Sequence, residues 1–131
     1  MGKESISLLI IDDVAAMRAQ LKELAESLGF SRISVAGGSA EALQWMELQD
    51  YHAVICDWHM VGTSGIDFLR FVRAHPKHKN IAFLMLTAES TKECVIEAIK
   101  SGVDDYAIKP VNAPQLNTKL EAALRKRKVL T

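Results

Sequence analysis

The sequence predicts an α/β domain built on a doubly wound parallel sheet, and three observations carry the prediction. Strand-like and helix-like patterns alternate along the whole chain in five successive βα units. Neither an internal repeat nor a linker interrupts them, so residues 1–131 are expected to form one domain. Four of the five hydrophobic strand-like runs end on a polar residue: 6–11 runs into Asp12 and Asp13, 53–56 into Asp57, 81–86 into Thr87, and 106–108 into Lys109. Ligands of an open parallel sheet bind outside the carboxyl ends of its strands. The endings therefore converge on one place, bringing three carboxylates, a hydroxyl and an ammonium together.

Each element has its own local justification. After Asp13, the residues Val14, Met17, Leu21, Leu24 and Leu28 repeat at helical spacing and Gly29 supplies a stop. Residues 32–36 form a short strand closed by Gly37-Gly38, and Ser39 is placed to cap a helix to about Gln49, with Ala42, Leu43 and Met46 inward. Beyond Asp57, Gly62 to Gly65 make a loop leading to a helix that carries Ile66, Leu69 and Val72. His75 to Asn80 is a polar connector in which His75 and His78 are expected to be exposed. Ser90-Thr91-Lys92-Glu93 reads as a capping box opening a helix with Val95, Ile96 and Ile99, stopped at Gly102. Asn112 caps the last helix, which has Pro114 in its first turn and Leu116, Leu120 and Leu124 on its inner face.

Alternating units of this kind predict helices on both faces of the sheet. A flavodoxin-like (βα)5 strand order, 2-1-3-4-5, puts the switch point between the first and third strands, which end in Asp12-Asp13 and Asp57. Topology and chemistry thus point to the same end of the sheet.

Composition narrows the function classes. Of the 131 residues, 49% are hydrophobic and 24% charged, the profile of an ordinary globular protein. Sixteen basic and sixteen acidic side chains cancel, so no global field favours nucleic acid or an anionic membrane. No apolar stretch approaches the ~20 residues of a membrane-spanning helix, and residues 1–5 lack the pattern of a signal peptide. A cytoplasmic location is expected. Cys56 and Cys94 read as reduced, structural residues, and the Arg125-Lys126-Arg127-Lys128 run as a complement to the last helix's C-terminal dipole in solvent.

Three carboxylates within a few ångströms repel, and one holds a proton unless a cation intervenes. Oxygen ligands without a His or Cys pair select Mg²⁺, with Mn²⁺ as the alternative. Magnesium keeps waters and accepts phosphate oxygens, so such a site is completed by a phosphoryl group. Lys109 suits one phosphate oxygen as a point charge, the Thr87 hydroxyl suits another, and Asp57 is the nucleophile for an in-line displacement.

With these residues placed, the chain resembles the receiver domain of two-component response regulators, and among them the single-domain chemotaxis regulators. The resemblance spans essentially the whole chain and rests on Asp12-Asp13, Asp57-Trp58-x-Met60, Thr87-Ala88-Glu89, Tyr106 and Lys109-Pro110. It implies that Asp57 accepts phosphate from a histidine kinase or phosphotransfer protein, with Asp12, Asp13, Asp57 and the main-chain carbonyl of His59 holding Mg²⁺. It implies further that Thr87 and Tyr106 form a switch pair and that Lys109-Pro110 is cis. The resemblance also implies that His59 and Glu89 occupy positions that tune the lifetime of the phosphorylated state, and a histidine is a residue type that titrates near neutral pH. Val61 replaces the usual proline and Val111 the common aromatic. A monomer without a fused output domain is expected, acting on a downstream target such as a flagellar motor switch protein, with a phosphatase as a further partner. Other readings are a phosphate sink, a regulator outside motility, an interaction module that takes no phosphate, or a phosphatase of the haloacid dehalogenase type. That last class places a second Asp two residues after the nucleophile; here His59 stands there.

Overall fold

The structure is a computed structural model that describes residues 2–130. Five parallel strands, β1 (Ser7–Ile11), β2 (Arg32–Ala36), β3 (Ala53–Cys56), β4 (Ala82–Thr87) and β5 (Asp105–Ile108), lie in the order β2-β1-β3-β4-β5. The helices α1 (Ala15–Ser27), α2 (Ser39–Leu48), α3 (Gly65–Ala74), α4 (Lys92–Lys100) and α5 (Ala113–Lys126) connect or follow them, and a single 3-10 turn precedes β1. The flavodoxin-like order expected from the sequence is the order found.

Alternate strand residues serve two separate cores. Leu8, Ile10, Ile55 and Leu84 pack with Leu21 and Ala25 of α1 and Leu116, Leu120 and Leu124 of α5. Leu9, Ile11, Val54 and Phe83 face the other way, against Ala42 and Met46 of α2, Ile66, Phe68, Leu69 and Val72 of α3, and Ala98 of α4. Because both faces are covered, every residue of β1, β3 and β4 is buried. The sequence runs are therefore apolar throughout instead of alternating.

The helix ends follow the expected chemistry with small shifts. Gly29 and Gly102, at φ 104° and 101°, take the left-handed conformation just past α1 and α4. Asn112 and Gln115 exchange side-chain and backbone hydrogen bonds of 2.9 Å in a capping box that opens α5. The α4 cap is Thr91, one residue later than Ser90, and its hydroxyl accepts from the Cys94 N–H at 3.2 Å. Ser39 is the first helical residue of α2, after an extended Gly38, and does not cap it.

Two expectations about side-chain exposure fail, those for His78 and Arg127, and α4 packs by an unexpected residue. Of the apolar α4 residues, Ile96 and Ile99 are exposed and Val95 only half-buried; Ala98 makes the buried contact instead. The helix packs by its small residue and leaves its large ones outside. His78 is buried and stacks on His75, ring centroids 4.4 Å apart. Arg127 does not lie free in solvent: it pairs with the buried Asp104, which also binds Arg73.

Candidate functional site

Strand register alone assembles most of the site. Residues Ile11 and Cys56 are partners on adjacent strands, and the Asp57 N–H donates to the Ile11 carbonyl at 3.2 Å. Asp12 and Asp57, the next residues on each strand, thus emerge side by side. Thr87 pairs with Ile108, and the Lys109 N–H donates to the Thr87 carbonyl at 2.8 Å, which sets the hydroxyl and the ammonium together. The Lys109–Pro110 peptide is cis.

The Lys109 ammonium donates to Asp12 Oδ2 at 2.7 Å and to Asp57 Oδ2 at 2.9 Å. Burial pulls the lysine pKa down, but these two hydrogen bonds and the attendant charges outweigh it, and the net direction is upward. Lys109 is thereby held charged between two carboxylates. Asp13 completes the acidic group: oxygens of Asp12, Asp13 and Asp57 lie within 4.8 Å of one another. One ammonium offsets only one of three negative charges.

Asp57 Oδ1 is buried and has no hydrogen-bond partner. A buried, unpaired carboxylate oxygen costs free energy unless a cation or a donor meets it. Oxygen donors alone, with residual negative charge and one unsatisfied atom, fit a hard divalent cation such as Mg²⁺. The same burial and the same carboxylates push the neighbouring Cys56 thiol well above its ordinary pKa, so it stays protonated. It donates to the Asp57 carbonyl at 3.2 Å and has the structural role expected of it.

Around this centre lie the other expected residues. Thr87 is fully buried, and its oxygen accepts from the Glu89 N–H at 3.3 Å, leaving the hydroxyl proton to donate elsewhere. The Tyr106 ring is turned inward and its hydroxyl donates to the Glu89 carbonyl at 2.7 Å. Burial, then Cys94, Glu89 and Asp57, raise its pKa to about 12. The exposed His59 imidazole contacts the Glu89 carboxylate, bridging the β3–α3 and β4–α4 loops. Glu89 therefore touches the tyrosine, the threonine and the histidine. Val61 is exposed, whereas the half-buried Val111 lines a crevice with Met17, Leu21, Leu24 and Lys109.

Two contributors, Arg18 and Gly65, went unnoticed in the sequence, and Asp12 has a second role. The Asp12 carboxylate also serves the start of α1: its Oδ1 accepts from the Val14 N–H at 2.9 Å. Arg18 donates to the Asp12 carbonyl at 2.7 Å. Gly65 donates its N–H to the Trp58 carbonyl at 2.6 Å, and a Cβ there would fall 1.9 Å from the Asp57 carbonyl oxygen. Only the Gly65 signal was available in advance, as a glycine at a helix start, and nothing local revealed the backbone pressed against it.

Residues 8–121 match the family model for the response regulator receiver domain. A chemotaxis protein CheY-3 of Vibrio cholerae serotype O1 is 38% identical over 118 residues, covering 90% of this chain and 91% of that protein. The chemotaxis protein CheY of Pseudomonas aeruginosa is 38% identical over 116 residues, covering 88% and 94%. Among solved structures, a putative response regulator from Chloroflexus aurantiacus superposes with a TM-score of 0.85 at 30% identity, covering 92% and 98% of the two chains. The chain belongs to the response regulator receiver domain family. It is a phosphorylation-activated signalling switch of two-component systems, and a histidine kinase or phosphotransfer protein is the partner its family implies. Among the described residues no helix is long and apolar enough to cross a membrane.

Proposed function

We propose that Asp57 is the phosphoacceptor and that this switch operates in chemotaxis. The observation that carries the first part is the buried, unpartnered Asp57 Oδ1 beside Lys109 and the Asp12–Asp13 pair. An aspartyl oxygen attacks phosphorus of a phosphohistidine; the P–N bond breaks and its electron pair leaves on the imidazole, which takes up a proton. Asp12, Asp13, Asp57 and the His59 main-chain carbonyl would hold Mg²⁺, which would supply neutralisation of charge on the phosphoryl oxygens. Lys109 binds one phosphoryl oxygen and Thr87 donates to another.

The Thr87 hydroxyl moves towards the phosphoryl group and leaves space that the Tyr106 ring enters. Phosphorylation in this scheme shifts a pre-existing equilibrium through contacts made only in one state. His59 and Glu89 flank the path of the hydrolytic water, and replacing either changes the decay rate of the phosphorylated form. The chemotaxis assignment rests on the two relatives named for it. A flagellar motor switch protein is the corresponding target.

The test is labelling with acetyl phosphate. Wild-type protein with Mg²⁺ gains one hydroxylamine-sensitive phosphoryl group, and Asp57→Asn gains none. Labelling that survives Asp57→Asn, or that persists in EDTA, overturns the assignment. Binding to an isolated motor switch protein that is indifferent to beryllofluoride overturns the proposed target while leaving the acceptor intact.

A further inference from the structure

We propose that Arg18 is a positioning residue for the metal-binding acidic pair, acting through the peptide that joins Asp12 to Asp13. This inference rests on the metal role given above to those two residues.

The two carboxylates are held very differently. Asp12 is buried and engaged on every side: its N–H donates to the Ala36 carbonyl at 3.1 Å, and its carboxylate accepts from the Val14 N–H and from Lys109. Asp13 is exposed, and among the described residues its carboxylate makes no hydrogen bond. Its aim into the cluster is therefore set by the backbone that carries it. The carbonyl of Asp12 belongs to the peptide plane that ends on the Asp13 nitrogen, so fixing that oxygen fixes the direction in which Asp13 departs.

Arg18 Nη1 donates to this carbonyl at 2.7 Å. The guanidinium lies beside Gly37, where an added Cβ would stand 3.4 Å from Nη1 in ordinary contact. Arg18 itself is fixed on α1, its N–H donating to the Val14 carbonyl at 3.0 Å. The guanidinium thus wedges between the β1–α1 junction and the β2–α2 loop and clamps the Asp12–Asp13 peptide from outside the metal site. Clamping lowers the conformational freedom that Asp13 must lose when an ion binds, which is how outer partners tune metal affinity.

Two effects of removing Arg18 have opposite signs. Loss of a positive charge beside an acidic site favours a cation, whereas loss of the clamp disfavours it. The proposal states that the clamp wins. Arg18→Met, which keeps the aliphatic stem, is expected to weaken Mn²⁺ binding by roughly tenfold, the low end for outer-shell partners of metal ligands. Arg18→Lys keeps the charge and one donor and is expected to recover part of the loss.

The experiment is titration of the full chain with Mn²⁺, the free ion counted by electron paramagnetic resonance, with Mg²⁺ competition and urea midpoints for each variant. Weaker binding in Arg18→Met at an unchanged urea midpoint without metal, with partial rescue in Arg18→Lys, supports the clamp. Unchanged or tighter binding in Arg18→Met overturns it. If Arg18→Met does not fold, Arg18→Gln takes its place: unchanged or tighter binding in it rejects the clamp, and weaker binding supports it. Asp13→Asn separates this inference from its premise. If that variant binds Mn²⁺ as well as wild type, the metal assignment fails; if it binds weakly while Arg18→Met is normal, only the clamp fails.

Discussion

Two charged clusters sit at opposite ends of this sheet, similar in make-up and opposite in design. At the carboxyl ends of the strands, Lys109 bridges Asp12 and Asp57, leaving negative charge in excess and one buried oxygen unpaired. At the other end, the fully buried carboxylate of Asp104 accepts from Arg73 at 2.9 Å, from Arg127 at 2.8 Å and from the Phe83 N–H at 2.8 Å. Arg73 donates in addition to the carbonyls of Gly102, Lys79 and Ile81. Burial nonetheless pulls its pKa below the ordinary arginine value, with Asp104 opposing that pull. The Asp104 cluster is satisfied and ties the ends of α3 and α5 to the starts of β4 and β5. The Asp57 cluster leaves Asp57 Oδ1 buried without a hydrogen-bond partner. Saturated hydrogen bonding marks the structural cluster, and a missing partner marks the one proposed to be functional.

That contrast is broken most directly by neutralising one aspartate in each cluster. Asp104→Asn leaves two arginines facing a buried amide, and a loss of about 3–5 kcal/mol is expected in urea unfolding. Asp57→Asn relieves carboxylate repulsion and should leave stability unchanged or slightly raised. Equal unfolding midpoints for the two variants would falsify the distinction.

Packing gives the next largest effect. Gly65→Ala forces a methyl group into the Asp57 carbonyl and should cost roughly 3 kcal/mol, the upper range for overpacking. Because the displaced backbone carries the proposed acceptor, phosphorylation of the folded fraction should slow as well. A destabilised variant labelled at the wild-type rate would show that the α3 start does not position Asp57.

Within the functional cluster, Thr87→Ala is expected to accept phosphate from acetyl phosphate yet lose most of the phosphorylation dependence of target binding. Fluorescence anisotropy of a labelled target reads this. A variant that retains full dependence removes Thr87 from the switch.

The smallest effect belongs to the structural end, at His78. Burial, then His75 and Lys77, lower its pKa below 6.5, while Asp50 acts in the opposite sense. The unfolded chain therefore binds a proton that the folded chain resists, and stability declines as pH falls below about 6.5. In His78→Gln that acid-side decline should shrink. Superimposable stability–pH curves would show that the stacked pair does not contribute.

The sequence alone determined the fold class, the strand order and five of the site's side chains, because these follow from periodicity and from strand endings. A parallel sheet turns each strand end into the same surface, so Asp12, Asp13, Asp57, Thr87 and Lys109 were legible one run at a time. Tyr106, Glu89 and His59 carried no such signal, and the resemblance to a family singled them out. Tertiary structure decided what depends on distance through space. Asp104 looks like a loop residue until Arg73, 31 positions earlier, and Arg127, 23 positions later, close on it. Likewise Gly65 is an ordinary helix-start glycine until the Asp57 backbone presses against it, and Arg18 an ordinary surface arginine until it meets the Asp12 carbonyl. The large apolar residues of α4 recur at helical spacing, yet Ala98 takes the buried contact and Ile96 and Ile99 remain outside. Periodicity reports which residues share a face; only packing reports whether another surface arrives to cover it.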